Sequence, residues 1–216
     1  MTHAYAETYL EDAQANLGEM ADYAANCCRC DMSLFWSAFV STGYAAQFET
    51  GSPKVISGLS GTELACHILY DAGLMHENFP APSTDYTKSA AYWGGWIVAY
   101  FQWHSGYAFQ TILHHIPWPT LIKLYPTLHE APPEKFLEVG YAMLRKAWGA
   151  SPLQYQRKLC GLSQSELAER AGVNLRTLQQ YETGAKNLNK AAVDTVRRLA
   201  KALHCRIETL LPPQDA

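Results

Sequence analysis

The sequence predicts an all-α protein with two domains. Apolar residues recur at helical spacings along the chain, and no hairpin-type turn dipeptide separates runs in which apolar and polar residues alternate. With 216 residues, of which 48% are hydrophobic, the chain can form one large or two small cores, and its length favours two. The short Gly149–Pro152 segment supplies a boundary, so we predict domains at residues 1–149 and 150–216.

The predicted N-terminal domain begins with helices separated by a loop. An amphipathic helix of about Tyr5 to Ala25 carries its apolar residues on one stripe, with the acidic residues largely elsewhere. Asp31 can cap a second helix, since its carboxylate can accept hydrogen bonds from first-turn amides, and a loop over residues 51–58 follows. Ser60 and Glu63 then have the spacing of a capping box, which predicts the start of a third helix.

An aromatic helix is predicted at the centre of this domain, from about Ser89 to Ser105. Gly94 and Gly95 would weaken this helix unless another helix approached closely there, so we expect it to be buried. Its large aromatic residues recur at alternating steps of three and four: Trp93, Trp96, Tyr100 and Trp103.

Prolines divide the remainder of the N-terminal domain. A short helix carries residues 109–113, and Pro117 and Pro119 break it before a single helical turn over residues 121–125. Pro132 and Pro133 are predicted to start a last helix that runs to about Trp148, because proline is tolerated in the first turn, where amides have no helical partner.

Helix-start and helix-end signals are dense in the C-terminal third. Ser163 and Glu166 form a second capping box, and Gly172 permits the positive φ of a tight turn. Asn174 can cap the next helix, and Gly184 can end it. Flanking helices would complete a five-helix core, whose predicted members include Leu153, Leu159, Leu167, Val173, Leu178, Val193, Val196, Leu199, Leu203, Leu210 and Leu211.

This pattern resembles the XRE family of helix-turn-helix proteins, the Cro and phage-repressor type, over about sixty residues. The resemblance implies a domain that binds a double-stranded DNA operator, with the helix that starts near Asn174 in the major groove. It implies base contacts by Leu175, Arg176, Gln179 and Gln180. It implies phosphate contacts by Gln164, Asn174, Thr177, Lys186 and Lys190.

Three residues of the motif have structural interpretations as well. Arg157 and Glu182 match a pair that bridges the first and third helices in this family, which implies a structural role. Leu175 departs from the polar residue often found at its position, so packing is the alternative to contact with a thymine methyl group. A domain that uses this fold only for protein contacts is the alternative to DNA binding. Polar residues at the reading positions and the net basic charge favour DNA.

The charge distribution differs between the two predicted domains. Residues 150–216 contain ten Lys and Arg against six Asp and Glu, whereas residues 1–149 contain seven against fourteen. The net charge of +4 on the C-terminal domain suits binding to phosphates. The net charge of −7 on the N-terminal domain suits a basic protein surface or serves solubility. The sequence shows no run of apolar residues long enough for a membrane span and no secretory signal, so we expect a cytoplasmic protein without membrane contact.

Catalysis and metal binding are not indicated. Cys27, Cys28 and Cys30 lie close together in the sequence. Zinc sites usually combine two pairs of closely spaced ligands, and no second cysteine pair occurs in the sequence, so buried reduced thiols are the better interpretation. Seven of the eight histidines lie before residue 150, without metal-ligand spacing or a nucleophile motif. We therefore predict no catalytic residue, no metal, no cofactor and no enzymatic activity.

Four segments of the N-terminal region, residues 9–13, 58–64, 92–103 and 125–130, look similar to a bacterial group of antitoxins that join such a region to an XRE domain. The resemblance implies that the acidic region binds and masks a protein toxin while the basic domain represses the operon as a homodimer. The alternative is a ligand-responsive or phage-type transcriptional repressor whose N-terminal domain senses a small molecule and controls DNA binding.

Overall fold

The computed structural model describes residues 3–83, 87–148 and 151–211, and every regular element in these ranges is helical. The predicted all-α fold class is therefore confirmed. The chain divides into two compact units, Met1–Gly140 and Tyr141–Ala216. The predicted domain boundary, at residues 149 and 150, lies outside the described residues and stays a prediction. No helix in the described ranges is long and apolar enough to cross a membrane.

The first unit contains eight complete α-helices within its described residues. A 3₁₀ turn, Glu7–Tyr9, precedes the first helix, and a π-helical segment, Tyr23–Cys27, follows it. A ninth helix crosses the division between the units. The bounds are α1 Leu10–Asp22, α2 Met32–Ser41, α3 Tyr44–Glu49, α4 Pro53–Ile56, α5 Gly61–Asp71, α6 Ala90–Ser105, α7 Phe109–His115, α8 Trp118–Leu128 and α9 Pro133–Trp148.

Helix α6 is the central buried helix of the first unit, as predicted. Most of its residues are buried, and it packs along α1 and against α8. The two glycines lie at the close approaches: a Cβ atom on Gly95 would stand 2.1 Å from the carbonyl oxygen of Leu17, and one on Gly94 would stand 2.7 Å from Trp118. The helices can pack this closely only because glycine has no side chain at these two positions.

Sequence signals misplaced several elements of the first unit. The predicted first helix is instead a 3₁₀ turn, α1 and a π-helical segment. The predicted loop over residues 51–58 contains the short helix α4, which begins at Pro53, a position where proline is favourable. The single turn predicted over residues 121–125 is the longer helix α8, because Pro119 falls in its first turn and Pro126 lies near its end.

Within its described residues, the second unit contains five complete α-helices, which pack around one core. Their bounds are α10 Pro152–Leu159, α11 Gln164–Ala171, α12 Leu175–Glu182, α13 Val193–Ala202 and α14 Ile207–Leu210. The prediction that Leu159 and Val193 belong to the core was wrong. Leu159 is 63% exposed and Val193 is 76% exposed. Leu159 is the last residue of α10 and Val193 the first of α13, so both lie at helix ends, beyond the buried stripe of their helices.

Candidate nucleic-acid interface

Local hydrogen bonds fix the ends of α11 and α12. At the start of α11, the amide of Ser163 donates to the Glu166 carboxylate over 2.7 Å, and the Glu166 amide donates to Ser163 Oγ over 3.2 Å. Hydrogen bonds to the carboxylate from the Ser163 side chain and from the Ser163 amide lower the pKa of Glu166. Gly172 ends the helix with φ +59°, and Asn174 Oδ1 then accepts hydrogen bonds from the first-turn amides of α12. The capping signals of the sequence are confirmed.

A buried ion pair joins α12 to α10. Arg157 Nε donates to Glu182 Oε1 over 2.6 Å, and Arg157 Nη2 donates to Oε2 over 3.0 Å. The third donor of the guanidinium, Nη1, reaches the carbonyl oxygen of Leu162 over 2.6 Å. Glu182 is fully buried, so this bidentate contact supplies its charge compensation and raises the pKa of Arg157. The pair holds the end of α12 at a fixed distance from α10.

Gln164 extends this pair toward the exposed side of α12. Its amide nitrogen donates to Glu182 Oε2 over 2.8 Å, and its amide oxygen accepts from Gln179 Nε2 over 3.3 Å. Arg157, Glu182, Gln164 and Gln179 thus form one chain of hydrogen bonds, which we call the anchor network. The network places Gln164, a predicted phosphate contact, beside Gln179, a predicted base contact.

All four predicted base contacts lie on α12, and Gln179 is the one that belongs to the anchor network. Arg176 and Gln179 are exposed, Gln180 is half-buried and Leu175 is 38% exposed. The opposite side of the helix contributes Leu178 to the core of the unit. In the described part of the chain, the Arg176 guanidinium forms no ion pair and is free to meet a ligand.

Residues 153–210 match a family model described as Helix-turn-helix. The C-terminal unit contains a helix-turn-helix domain. The matched residues run through all five helices from α10 to α14, and the match indicates a DNA-binding transcriptional regulator of the XRE type. No curated protein and no solved structure matches the chain.

The predicted phosphate contacts of the helix-turn-helix domain lie at the starts of α11 and α12 and in the segment that follows α12. Asn174 and Gln164 stand at the first turns of α12 and α11, where backbone amides favour anions. Thr177 is half-buried in the first turn of α12. Lys186 and Lys190 are exposed in the segment after α12, and neither forms an ion pair with the described residues.

Sequence reasoning missed two contacts that position the helix-turn-helix. One is the Gln164 to Gln179 bond of the anchor network, which joins residues fifteen positions apart. The other is a hydrogen bond from Arg198 Nη1 on α13 to the carbonyl oxygen of Gly172, over 3.0 Å. Arg198 therefore ties the turn to a neighbouring helix. No local pattern could have indicated either contact.

The cysteine cluster of the first unit shows no metal-binding arrangement. Among the described residues, no group of three or more His, Cys, Asp or Glu side chains is placed to hold a metal ion. Burial raises the pKa of Cys28 to about 11, which keeps its sulfur protonated near neutral pH. Cys27, Cys28 and Cys30 are half-buried free thiols.

We expect Gln164→Ala to weaken binding to all DNA sequences by about tenfold, the effect of losing one hydrogen bond to a charged group. The change removes the proposed phosphate donor and the link between Glu182 and Gln179. Equilibrium titrations of the full chain with the operator and with unrelated DNA measure both affinities. A loss confined to one base position of the operator would contradict the assignment.

Proposed function

We propose that this chain is a sequence-specific transcriptional repressor that reads its operator through α12. The observation that carries the proposal is the anchor network, because it holds exposed polar side chains of α12 on a helix fixed by a buried ion pair. Fixed geometry is what discrimination between base edges requires. The basic balance of residues 150–216 supports contact with phosphates.

Each proposed base contact has a matching partner in the major groove. Arg176 can donate two hydrogen bonds to O6 and N7 of guanine, and Gln180 or Gln179 can pair with N6 and N7 of adenine. Leu175, which remains partly exposed, can contact a thymine methyl group. Asn174 uses its side-chain oxygen as a helix cap, which leaves its amide group available for a phosphate.

We expect Arg176→Ala to cost about 1 to 3 kcal/mol of operator affinity and to relax the preference at one base position. The matched control is Lys201→Ala, which removes the same charge from an exposed position on α13. Competition binding against operators with single base changes measures the preference. Equal preference in the Arg176→Ala protein and the wild type would exclude Arg176 as a base contact.

We propose further that the protein binds as a homodimer, because helix-turn-helix repressors commonly read two half-sites related by a two-fold axis. The expected operator is a pseudo-palindrome with half-sites about one helical turn apart. Sedimentation of the full chain with a single operator should give two chains per duplex. One chain per duplex would refute the dimer.

For the N-terminal unit we propose the role of an antitoxin that binds a protein toxin. Its supports are the similarity of its sequence segments to antitoxins and the acidic balance of residues 1–149, which suits a basic partner surface. The test is co-expression with the product of the adjacent gene in its operon. Rescue of growth together with a stoichiometric complex supports the role, and a neighbouring gene product that neither binds nor is toxic contradicts it.

A second candidate is a repressor that responds to a small molecule, and one observation favours it. The first unit has a groove with a cavity volume of about 500 Å³, which lies within the usual range for small-molecule sites. The expected signature is a ligand that raises thermal stability and releases the DNA.

A further inference from the structure

An aromatic cleft lies where the end of α8 meets the first half of α6. Its cavity volume is about 200 Å³, below the roughly 300 to 1,000 Å³ of sites for drug-sized ligands, so it suits a molecule of one or two fused rings. Apart from one lysine, the described side chains that line it all carry rings. The lining residues are Lys88, Tyr92, Trp93, Trp96, Tyr125 and His129.

Ring contacts between α6 and α8 preform the aromatic cleft. The buried Trp93 ring lies 5.8 Å from the Tyr125 ring and 6.1 Å from the Phe136 ring, between centroids, in edge-to-face arrangements. Tyr125 stacks on the His129 ring at 4.5 Å, and His129 Nδ1 lies 2.8 Å from the Tyr125 carbonyl oxygen. Because each of these rings is held by another, the cleft does not depend on a ligand for its shape.

Trp96 supplies a ring to the aromatic cleft that has no aromatic partner. It is half-buried, and it pairs with no other ring in the described part of the chain. Tyr92 and Tyr125 are half-buried as well, so parts of three rings remain accessible. A flat aromatic ligand can stack on such rings or meet them edge to face, which a saturated ring cannot do. The lining therefore favours a planar ring.

Lys88 gives the aromatic cleft its permanent charge. Its Nζ atom lies 4.9 Å from the centroid of the Tyr92 ring, and this cation–π contact holds the ammonium group at the cleft. Lys88 forms no ion pair with the described residues. The other ionisable lining residue, His129, lies 3.7 Å from the Glu130 carboxylate, which can balance its charge when it is protonated. One positive charge in the cleft is thus left without a counter-ion.

The acidic side chains close to Lys88 are engaged elsewhere. Glu19 and Asp22 line a neighbouring pocket that also includes Lys88. Glu19 Oε2 accepts a hydrogen bond from the Gly61 amide over 3.1 Å, and Asp22 Oδ1 accepts one from the Ser89 hydroxyl group. Neither carboxylate forms an ion pair with Lys88, so the position of a counter-ion is open to the anionic group of a ligand.

We propose that the aromatic cleft binds a planar aromatic carboxylate of one or two fused rings. The ring packs against Trp96 and Tyr125, and the carboxylate accepts a hydrogen bond from Lys88 Nζ. A single negative charge matches the one unpaired ammonium group, whereas a neutral ring leaves it unpaired and a phosphate dianion is only half compensated. The aromatic cleft shares no lining residue with the larger groove of the same unit, and its occupation requires neither role proposed for that unit.

The test observes Trp96 in the full-length protein without DNA. The six tryptophans should give six indole N–H resonances in a ¹⁵N-labelled sample, and Trp96→Phe assigns the relevant one. The probes are benzoate and indole-3-carboxylate. Each is compared with its own neutral amide, and benzoate also with cyclohexanecarboxylate, which keeps the charge and lacks the planar ring. At least one aromatic carboxylate should shift the Trp96 resonance saturably, and its controls should bind about tenfold more weakly.

Two lysine variants locate the charge that binds the ligand. Lys88→Met should weaken carboxylate binding about tenfold, to the level of the amide, and leave the affinity for the amide unchanged. Lys123→Met removes the same charge from an exposed position of α8 outside the aromatic cleft and should leave carboxylate binding unchanged. The absence of a saturable Trp96 shift with both aromatic carboxylates, or an equal loss in the two variants, overturns the proposal. Operator binding measured in parallel separates this failure from a failure of DNA recognition.

Discussion

Replacing Glu182 by alanine is expected to destabilise the helix-turn-helix domain by about 3 to 5 kcal/mol, the cost of removing one partner of a buried ion pair. Glu182 is fully buried and accepts hydrogen bonds from Arg157 and Gln164. Without it, the Arg157 guanidinium remains buried and keeps its hydrogen bond to the Leu162 carbonyl oxygen, but it has lost the carboxylate that balances its charge. DNA affinity should fall as well, because the network no longer holds Gln164 and Gln179.

Hydrogen exchange resolves this effect in the full-length protein. Amides of α10, α11 and α12 should exchange at least about a hundredfold faster in Glu182→Ala, while amides of α6 should be unchanged, since local unfolding follows separate cooperative units. The matched control is the double variant Arg157→Met with Glu182→Leu. Removal of both charges should cost much less than Glu182→Ala alone, because no buried charge is left unpaired. If amide exchange were accelerated equally in Glu182→Ala and in the double variant, this account of the Arg157–Glu182 ion pair would be contradicted.

Gly95→Ala is expected to destabilise the first unit by about 3 kcal/mol or more, at the upper end of overpacking effects. The added Cβ atom would lie 2.1 Å from the carbonyl oxygen of Leu17 and 2.9 Å from the Cβ atom of Ala21. Both contacts belong to α1, and the nearer one is backbone, so relief requires α1 and α6 to separate along their shared interface. Packed interiors do not permit such a shift cheaply.

Gly94→Ala is the matched control for this prediction. The heavy atoms nearest to its Cβ atom would be side-chain atoms, of Trp118 at 2.7 Å and of Ile122 at 3.1 Å, and side chains can rotate where backbone cannot. Urea unfolding followed by tryptophan fluorescence measures the first unit, because five of the six tryptophans lie in residues 1–140. A smaller midpoint shift for Gly95→Ala than for Gly94→Ala would contradict the packing argument.

Elements that depend on local chemistry could be predicted from the sequence. The capping boxes at Ser60 and Ser163, the Asn174 cap and the left-handed turn at Gly172 are all present, since each involves residues within a few positions of one another. The burial of α6 followed from its glycine pair, because glycine inside a helix needs a packing reason.

Features that depend on distant contacts could not be predicted. The exposure of Leu159 and Val193 depends on where the core ends, and helical periodicity alone does not indicate this. Gln164 was predicted only as a phosphate contact, but its side chain also connects Glu182 with Gln179. The aromatic cleft combines residues at two helices, α6 and α8, with Lys88 from the segment before α6, so no sequence pattern indicated it.

Selection of DNA by the full-length wild-type protein from a random duplex library tests the central claim most directly. The account predicts enrichment of a pseudo-palindrome with half-sites about one helical turn apart and a guanine whose preference disappears in the Arg176→Ala protein. Enrichment of no motif by the wild type, or of the same motif with undiminished guanine preference by Arg176→Ala, would contradict base recognition by α12.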